Sequence, residues 1–193
     1  NMAGGAYIKR SEAELTNVLV TGNTAGAGAG IYFRESEGLL KQLTIAENVA
    51  KVSGGAIFNY RTNLSLWNSV LWGNPPEEIV HFSTSGSPSQ LEIYYSDVMG
   101  GQDGIDVHGP GVLDWGAGSL DADPLFVGSG PYPFSLALHS PCIDAGPRDP
   151  TGSTCRLTIS GGTSASWMVI RTVWPLWTWA PMNSKTSLLN LSK

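Results

Sequence analysis

The sequence predicts an all-β fold, a β-solenoid in which parallel strands stack in coils of about 25 residues. Two repeats carry this prediction. A segment in which small residues precede apolar ones recurs at an offset of 25 residues, at positions 4–8, 29–33 and 54–58. Each unit also ends on an asparagine, at Asn23, Asn48 and Asn74.

The apolar residues inside a unit alternate with polar ones, as in Val18 and Val20 and then Leu43 and Ile45. This period of two is typical of a half-buried strand. A unit of two or three short strands cannot bury its apolar face alone, so neighbouring units must stack. An offset of 25 predicts two inward columns, Ala6 with Ile31 and Ala56, and Ile8 with Phe33 and Phe58, while Tyr7, Tyr32 and Ile57 face outward.

The asparagines predict a ladder at one turn of the solenoid. Asparagine tolerates left-handed backbone, and its amide can hydrogen-bond the equivalent residues in the coils above and below. Stacked coils lie about 4.8 Å apart, a spacing that suits this contact.

Beyond Asn74 the strict period ends at Pro75 and Pro76. Residues 79–82 and 91–95 predict strands of one longer coil, joined by a polar loop at 83–89. We therefore divide the chain into coils at 1–99, a Gly- and Asp-rich capping segment at 100–149 and an aberrant tail at 150–193. Further coils are expected N-terminal to this chain, since residue 1 lies close to a glycine pair.

The composition argues against nucleic-acid binding, a membrane-spanning segment and a disulfide framework. Charged residues make up 14% of the 193 residues, and the net charge is −5. No run of basic residues would neutralise a series of phosphates, which argues against nucleic acid as a partner. No stretch reaches the ~18 apolar residues of a membrane span. Two cysteines provide no disulfide framework.

Four ordered motifs resemble a known family. They are Asn-Ser-Val-Leu-Trp-Gly-Asn at 68–74, Tyr-Ser-Asp-Val-Met-Gly-Gly at 95–101, Asp-Ala-Asp-Pro-Leu-Phe-Val at 121–127 and Ser-Pro-Cys-Ile-Asp-Ala-Gly at 140–146. Together they resemble the C-terminal region of bacterial right-handed parallel β-helix repeat proteins of the choice-of-anchor type, over residues 1–149. The resemblance implies a secreted or cell-surface bacterial protein whose activity is undefined.

The resemblance ends after Asp149. Such proteins usually continue to Asp-Met-Gly-Ala-Tyr-Glu-Phe, whereas this chain has Trp167, Trp174, Trp177 and Trp179. The codons of residues 177–183, read from the third base of the first codon, permit Asp-Met-Gly-Ala-Tyr-Glu. We therefore predict that residues after about 153 are translated out of frame, are poorly ordered and give Cys155 no selected role. Deleting 154–193 should then leave the thermal midpoint unchanged.

The sequence assigns no catalytic, cofactor-binding or metal-binding residue. At offset 25 the outward residues are Arg10, Glu35 and Tyr60, and then Lys9, Arg34 and Asn59. They give one surface ion pair and one repulsion, which do not make a catalytic constellation. The aspartates that a glycosidase would need are expected in glycine-rich loops, at Asp97, Asp103, Asp106 and Asp114.

The remaining polar candidates have simple structural interpretations. His108 is expected to be solvated, and His81 and His139 have no partner nearby in sequence. Asp121 and Asp123, with Asp97 or Asp103, have the oxygen atoms that calcium prefers, but capping of the turn before Pro124 is the favoured interpretation. Residues 26–30 superficially resemble a phosphate loop but lack its lysine and helix.

Two further predictions concern Trp67, Trp72, Tyr94 and Cys142. The three aromatic residues either complete the core or form a platform on which sugar rings stack, and Cys142 is expected to be a small buried hydrophobe.

The leading functional hypothesis is a non-enzymatic, cofactor-free part of a surface β-helix for adhesion or contact with extracellular polysaccharide. The alternative is a fragment of a polysaccharide lyase or glycoside hydrolase whose catalytic coils precede residue 1.

Overall fold

The computed structural model describes residues 2–146 and the backbone of 156–158 and 164–166. The chain winds into four coils and the first two strands of a fifth. The first coil contains β1 (Ala6–Lys9), β2 (Glu12–Thr16), β3 (Leu19–Thr21) and β4 (Thr24–Ala27). The second contains β5 (Ile31–Arg34), β6 (Glu37–Lys41), β7 (Thr44–Ala46) and β8 (Val49–Ser53).

The later coils lack the fourth strand. The third contains β9 (Ile57–Tyr60), β10 (Asn63–Trp67) and β11 (Val70–Trp72). The fourth contains β12 (Ile79–Phe82), β13 (Gln90–Tyr94) and β14 (Asp97–Val98), followed by a 3-10 turn at Gly101–Gly104 and by β15 (Ile105–His108) and β16 (Val112–Trp115) of the fifth. The strands predicted at 79–82 and 91–95 are confirmed.

Equivalent strands of successive coils pair in parallel and form three long sheets. The first sheet is β1-β5-β9-β12-β15, the second is β2-β6-β10-β13-β16 and the third is β3-β7-β11-β14. Strands β4 and β8 pair on their own. The predicted solenoid of parallel strands is therefore confirmed.

One core fills the inside of the solenoid along its length. Its fully buried residues come from all three sheets and include Ile31, Phe33, Leu40, Leu43, Ile45, Ile57, Leu64, Leu66, Leu71, Ile79, Leu91 and Ile93. A fully buried aliphatic or aromatic side chain contributes about 1.5–3 kcal/mol. Stacking of the coils thus supplies the burial that no single coil can achieve.

The predicted column of Ile8, Phe33 and Phe58 is wrong at its third member. Ala25 pairs with Ala50, but Ala27 pairs with Ser53, so the second coil has one extra residue in a bulge. From that point the offset is 26.

The inside and outside of the third coil change accordingly, because a one-residue slip moves every side chain of a strand to the other face. Ile57, predicted outward, is buried next to Ile31. Asn59, also predicted outward, is buried next to Phe33. Phe58 faces outward and stacks on Tyr32, with ring centroids 4.9 Å apart.

The corners of the coils share one backbone conformation, a single residue in the left-handed region. Residues with positive φ recur at equivalent corners, as in Arg10, Glu35 and Arg61, in Asn17, Gln42, Asn68 and Tyr95, and in Gly22, Glu47 and Gly73. The predicted left-handed asparagines are not observed, since the left-handed residue is the one that precedes each asparagine. That residue turns the chain, and the next one places its side chain at the corner.

The predicted asparagine ladder is confirmed. The backbone N–H and the side-chain Nδ2 of Asn23 both donate to Asn48 Oδ1, at 3.0 and 2.9 Å. Asn48 donates in the same way to Asn74 Oδ1, at 2.9 and 2.8 Å. The last asparagine donates to the two carboxylate oxygens of Glu78, at 2.9 and 2.6 Å. Burial raises the pKa of Glu78 to about 7.

The segment assigned to a cap begins with further coil structure. Asp106 lies on β15, Asp114 on β16 and Asp97 on β14, so the expectation that these aspartates occupy glycine-rich loops is wrong. Asp103 does lie in the 3-10 turn. The aspartates alternate with apolar residues that continue the inward columns, and this places them on strands.

The predictions about the tail fall outside the described residues. Two short strands, β17 (Arg156–Thr158) and β18 (Ser164–Ser166), pair antiparallel. The cysteine and the tryptophans of the tail are not among the described residues.

The ladder predicts a graded loss of stability. Asn48→Ala should lower the free energy of unfolding by roughly 2–4 kcal/mol. The substitution leaves the N–H groups of Asn23 and the carbonyls of Val20 and Ala46 without these hydrogen-bond partners. Asn23→Ala, at the partly exposed end, should cost less. Chemical unfolding followed by circular dichroism measures both values, and equal losses would contradict a cooperative buried ladder.

Candidate functional site

The outer face of the second sheet presents three rows of side chains that run along the solenoid. Alternation places Leu64 and Leu66 in the core and Asn63, Ser65 and Trp67 outside. Parallel pairing aligns these outward residues with equivalents on neighbouring coils. The three rows are Glu12, Glu37, Asn63 and Gln90; Glu14, Leu39, Ser65, Glu92 and Asp114; and Thr16, Lys41, Trp67 and Tyr94.

Trp67 and Tyr94 form a stacked pair on this face. They are register partners on β10 and β13. Their ring centroids are 4.6 Å apart with an interplanar angle of 12°. Tyr95 lies beside them, 6.2 Å from the Trp67 ring. Because both rings are partly exposed, the pair is an aromatic platform at the surface. That sugar rings stack on it stays a prediction.

The Tyr94 ring is held in place by the fifth coil. Its hydroxyl donates to Asp114 Oδ2 at 2.6 Å, and this hydrogen bond raises the pKa of Tyr94. Gly116 lies directly against the ring, and a Cβ there would collide with it. The platform therefore depends on a carboxylate and on a glycine beyond the strand. Trp72 is not part of it, since this side chain packs near Val70 and Cys142.

A groove of about 660 Å³ adjoins the platform on the same face. Its walls include four carboxylates, those of Glu12, Glu14, Glu37 and Glu92. Ser65 Oγ donates to Glu92 Oε2 at 2.8 Å, and Gln90 Nε2 donates to Glu92 Oε1 at 3.1 Å.

Sequence reasoning missed this cluster of outward ionisable groups. Lys41 Nζ lies 2.9 Å from Glu14 Oε1 and is paired within it. The outward residues compared at offset 25 lie at the end of the first strand and at its corner. Glu12 and Glu37 lie 25 residues apart on the second strand, so the sequence repeat also contains the signal for this acidic row.

The three histidines are not brought together. His81 is fully buried, with Nδ1 2.9 Å from Asn59 Nδ2 and Nε2 3.1 Å from the Ser89 carbonyl oxygen. Because Asn59 Nδ2 donates to Nδ1, Nε2 carries the proton and donates to Ser89. Burial lowers the pKa of His81. His108 is half-exposed beside Asp106 at 2.8 Å, and His139 is exposed.

Asp97, on β14 of the third sheet, joins three of the four sequence motifs through hydrogen bonds. These are the motifs at 95–101, 121–127 and 140–146. The fourth motif, at 68–74, contributes Val70. The fully buried Asp97 accepts the Ala122 N–H at Oδ1, 3.1 Å away, and the Cys142 thiol at Oδ2, 2.9 Å away. The Cys142 N–H donates to Ser140 Oγ at 3.2 Å. Val70 packs against Cys142.

This arrangement joins the last coils to the irregular segment. Burial raises the pKa of Asp97 to about 6 and also raises the pKa of Cys142. Cys142 is buried as predicted, but its role as a donor to Asp97 was not foreseen, because the two residues are 45 positions apart.

Asp121 and Asp123 accept backbone hydrogen bonds at two different places. Asp123 Oδ1 accepts the Leu125 N–H at 2.8 Å, so the predicted capping of the turn at Pro124 is confirmed for Asp123. It is wrong for Asp121, whose Oδ1 accepts the Gly100 N–H at 3.0 Å. Within residues 2–146, no group of three or more His, Cys, Asp or Glu side chains is arranged to hold a metal ion.

The comparisons with known proteins give one match. Residues 42–60 match the model of the Chlamydia polymorphic membrane protein repeat. The matched stretch runs from the corner at Gln42 through β7 and β8 to the end of β9 and includes the central asparagine of the ladder. The chain is a parallel β-helix built from repeats.

No curated protein and no solved structure matches the chain. In the part of the chain that the structure describes, no helix is long and apolar enough to cross a membrane.

The buried Asp97 predicts a pH-dependent stability. Its pKa of about 6 in the folded protein lies above the ordinary value of 3.8. The folded protein therefore favours the protonated form of Asp97. The stability that this protonated carboxyl contributes is fully present below pH 3.8 and is lost as the pH rises through 6. Relative to Asp97→Asn, the wild-type protein should lose on the order of 3 kcal/mol of unfolding free energy between pH 4 and pH 7.5.

Chemical denaturation across that pH range measures the difference between the two proteins. The subtraction removes the contributions of His81 and Glu78, which both proteins share: the lowered pKa of His81 opposes the effect of Asp97, and the raised pKa of Glu78 acts in the same direction. Two parallel stability curves would show that Asp97 does not titrate in this range.

Proposed function

We propose that this chain is a repeat region of a bacterial surface or outer-membrane β-helix protein and that it contacts glycans through the outer face of the second sheet. The repeat match at 42–60 supports a surface protein of bacteria. The four motifs that resemble choice-of-anchor proteins support the same location and a C-terminal anchor.

The observation that carries the glycan proposal is the Trp67–Tyr94 platform beside the groove. Sugar rings have apolar C–H faces that pack on aromatic rings, and their hydroxyls need donors and acceptors close by. The platform supplies the rings, while Ser65, Gln90 and Glu92 supply the polar groups. Since the rows repeat about every 4.8 Å, the face suits an elongated ligand that lies along the solenoid axis.

The charge of the groove restricts the ligand. Four glutamates line it, and Lys41, which borders it, is paired with Glu14. A polyuronate would be repelled by these carboxylates, whereas a neutral or amine-bearing glycan would be accommodated. We therefore assign the groove to neutral glycans or glycans that contain amino sugars.

The four carboxylates also favour a second candidate, a polysaccharide-cleaving enzyme. Glycoside hydrolysis uses one protonated and one ionised carboxyl group, which are held in different environments. Glu12, Glu14 and Glu37 are exposed, whereas Glu92 is partly buried and accepts hydrogen bonds from Ser65 and Gln90. None of the four is enclosed away from water, and this favours binding over catalysis.

Binding is tested by removing the platform. Trp67→Ala and Tyr94→Ala should each weaken binding roughly tenfold, since an aromatic stacking contact is worth about 0.5–1.5 kcal/mol beyond its buried area. Affinity electrophoresis in soluble β-glucan and in chitosan oligomers measures the change. Tyr7→Ala removes an aromatic ring from the first sheet and is the matched control. Equal affinities of all three variants and the wild type would contradict the proposal.

Catalysis is tested separately. The chain should release no new reducing ends or unsaturated products from neutral or uronate polysaccharides, with or without calcium, because none of its four groove carboxylates is enclosed away from water. Colorimetric and ultraviolet assays measure the products. Activity that disappears in Glu12→Gln, in Glu37→Gln or in Ala variants of Asp103 or Asp106 would establish the enzymatic alternative.

A further inference from the structure

A second charged feature lies at the corner between the first and second sheets. Arg10, Glu35 and Arg61 occupy equivalent left-handed positions on the first three coils, with φ of 50°, 51° and 54°. Arg34 and Tyr60 end the strands that lead into two of these positions and are register partners. We name these five residues the arginine corner.

The corner contains more positive charge than it neutralises internally. Arg10 Nε lies 2.8 Å from Glu35 Oε2, as the sequence predicts, and Arg61 Nη1 lies 3.4 Å from Glu35 Oε1. Arg34 Nε is 3.9 Å from the same Oε1. Lys9 is the register partner of Arg34. Three guanidinium groups thus share one carboxylate, with Lys9 on the neighbouring strand position, in a protein of net charge −5.

Two guanidinium donors in the corner have no acceptor. The Nε atoms of Arg34 and Arg61 are enclosed by the protein and make no hydrogen bond. Both side chains are about one-third exposed, so their other atoms remain accessible to solvent. Glu35 is the carboxylate that the structure places beside all three arginines. A ligand carboxylate at the exposed part of Arg34 or Arg61 would add an acceptor where three guanidinium groups share one.

Aromatic rings border these donors. The Arg34 and Arg61 guanidinium carbons lie 5.6 and 5.9 Å from the centre of the Tyr60 ring. Tyr60 stacks on Phe82 at 5.4 Å, and Phe82 lies 5.8 Å from the His108 ring. A row of rings therefore leads away from the cations along the first sheet. The sequence predicts neither the contact of the arginines with Tyr60 nor the row of rings. An offset of 25 aligns Tyr60 with Glu35 and Asn59 with Arg34, whereas in the structure Tyr60 is the register partner of Arg34.

We propose that the arginine corner binds an acidic polysaccharide. Carboxylates of uronate units would pair with the forked donors of Arg34 and Arg61, and the sugar faces would pack on Tyr60 and Phe82. This site is separate from the groove on the second sheet, whose charge is opposite. An inorganic polyphosphate chain suits it less well, because such a chain has no apolar face that could pack on Tyr60 and Phe82.

The test uses the whole chain and polygalacturonate as the probe, in calcium-free buffer at low salt, with titration calorimetry. Arg34→Gln and Arg61→Gln should each weaken binding by about tenfold, as expected for a charge-assisted hydrogen bond. Lys51→Gln removes a cation from the exposed part of β8 and should leave affinity within twofold. Arg61→Lys keeps the charge but replaces the planar forked donor with a single ammonium group, so it should weaken binding nearly as much as Arg61→Gln.

A gain of affinity makes the test independent of misfolding. Glu35→Gln removes the carboxylate that competes for Arg10 and Arg61 and should tighten polygalacturonate binding several-fold. Trp67→Ala should leave it unchanged, which separates this site from the proposed glycan groove.

The proposal is overturned if polygalacturonate binds no better than neutral dextran or if Lys51→Gln weakens binding as much as Arg61→Gln. It is also overturned if Glu35→Gln weakens binding. Dextran sulfate separates the two sources of anionic charge: tighter binding to it, with the same loss in Arg61→Gln, would retain the corner as an anion site but overturn the carboxylate assignment. Tighter binding to single-stranded DNA would overturn the polysaccharide assignment.

Discussion

The structure depends on the contact between one coil and the next, and above all on polar side chains that close the corners. At each corner a left-handed residue turns the chain, and the residue after it accepts or donates a hydrogen bond across coils. The Asn23–Asn48–Asn74 ladder does this at one corner. Ser36 and Thr62 do it at another, where Ser36 N–H donates to Thr62 Oγ1 at 3.0 Å. Because buried backbone groups must be paired, these ladders set the positions at which the chain can bend.

Coil stacking was predictable from the sequence because it repeats the same chemistry at nearly constant spacing. The asparagines, the glycine-led apolar segments and the period of two are visible without any tertiary knowledge, and they determine the fold class. The register was less predictable. A single extra residue near Lys51 and Val52 moves Phe58 outward and Asn59 inward. The spacing of 26 between Asn48 and Asn74 carries this information, whereas the apparent glycine repeat at 54 and 55 conceals it.

The two proposed binding surfaces were less predictable than the core, because they also depend on the register of the coils. A core column tolerates either Phe58 or Ile57 as an apolar filler, so an error of one residue still predicts a solenoid. A surface cluster is defined by which side chains become neighbours, and that depends on the register of each coil. The arginine corner needs the 26-residue offset to bring Tyr60 next to Arg34. The Asp97–Cys142 contact requires the path of the irregular segment, which no repeat encodes.

The two surfaces follow from placing opposite charges on adjacent sheets of one rigid body. The glutamates face outward from the second sheet, while the cations and rings gather at its border with the first. Since successive coils are tied by backbone pairing and by buried ladders, these charges keep fixed positions along the axis. A ligand that matched this spacing would meet a surface that is already organised and would lose little affinity to ordering of the protein. The fixed spacing of the coils thus connects the buried polar corners to the recognition that we propose for the outer faces.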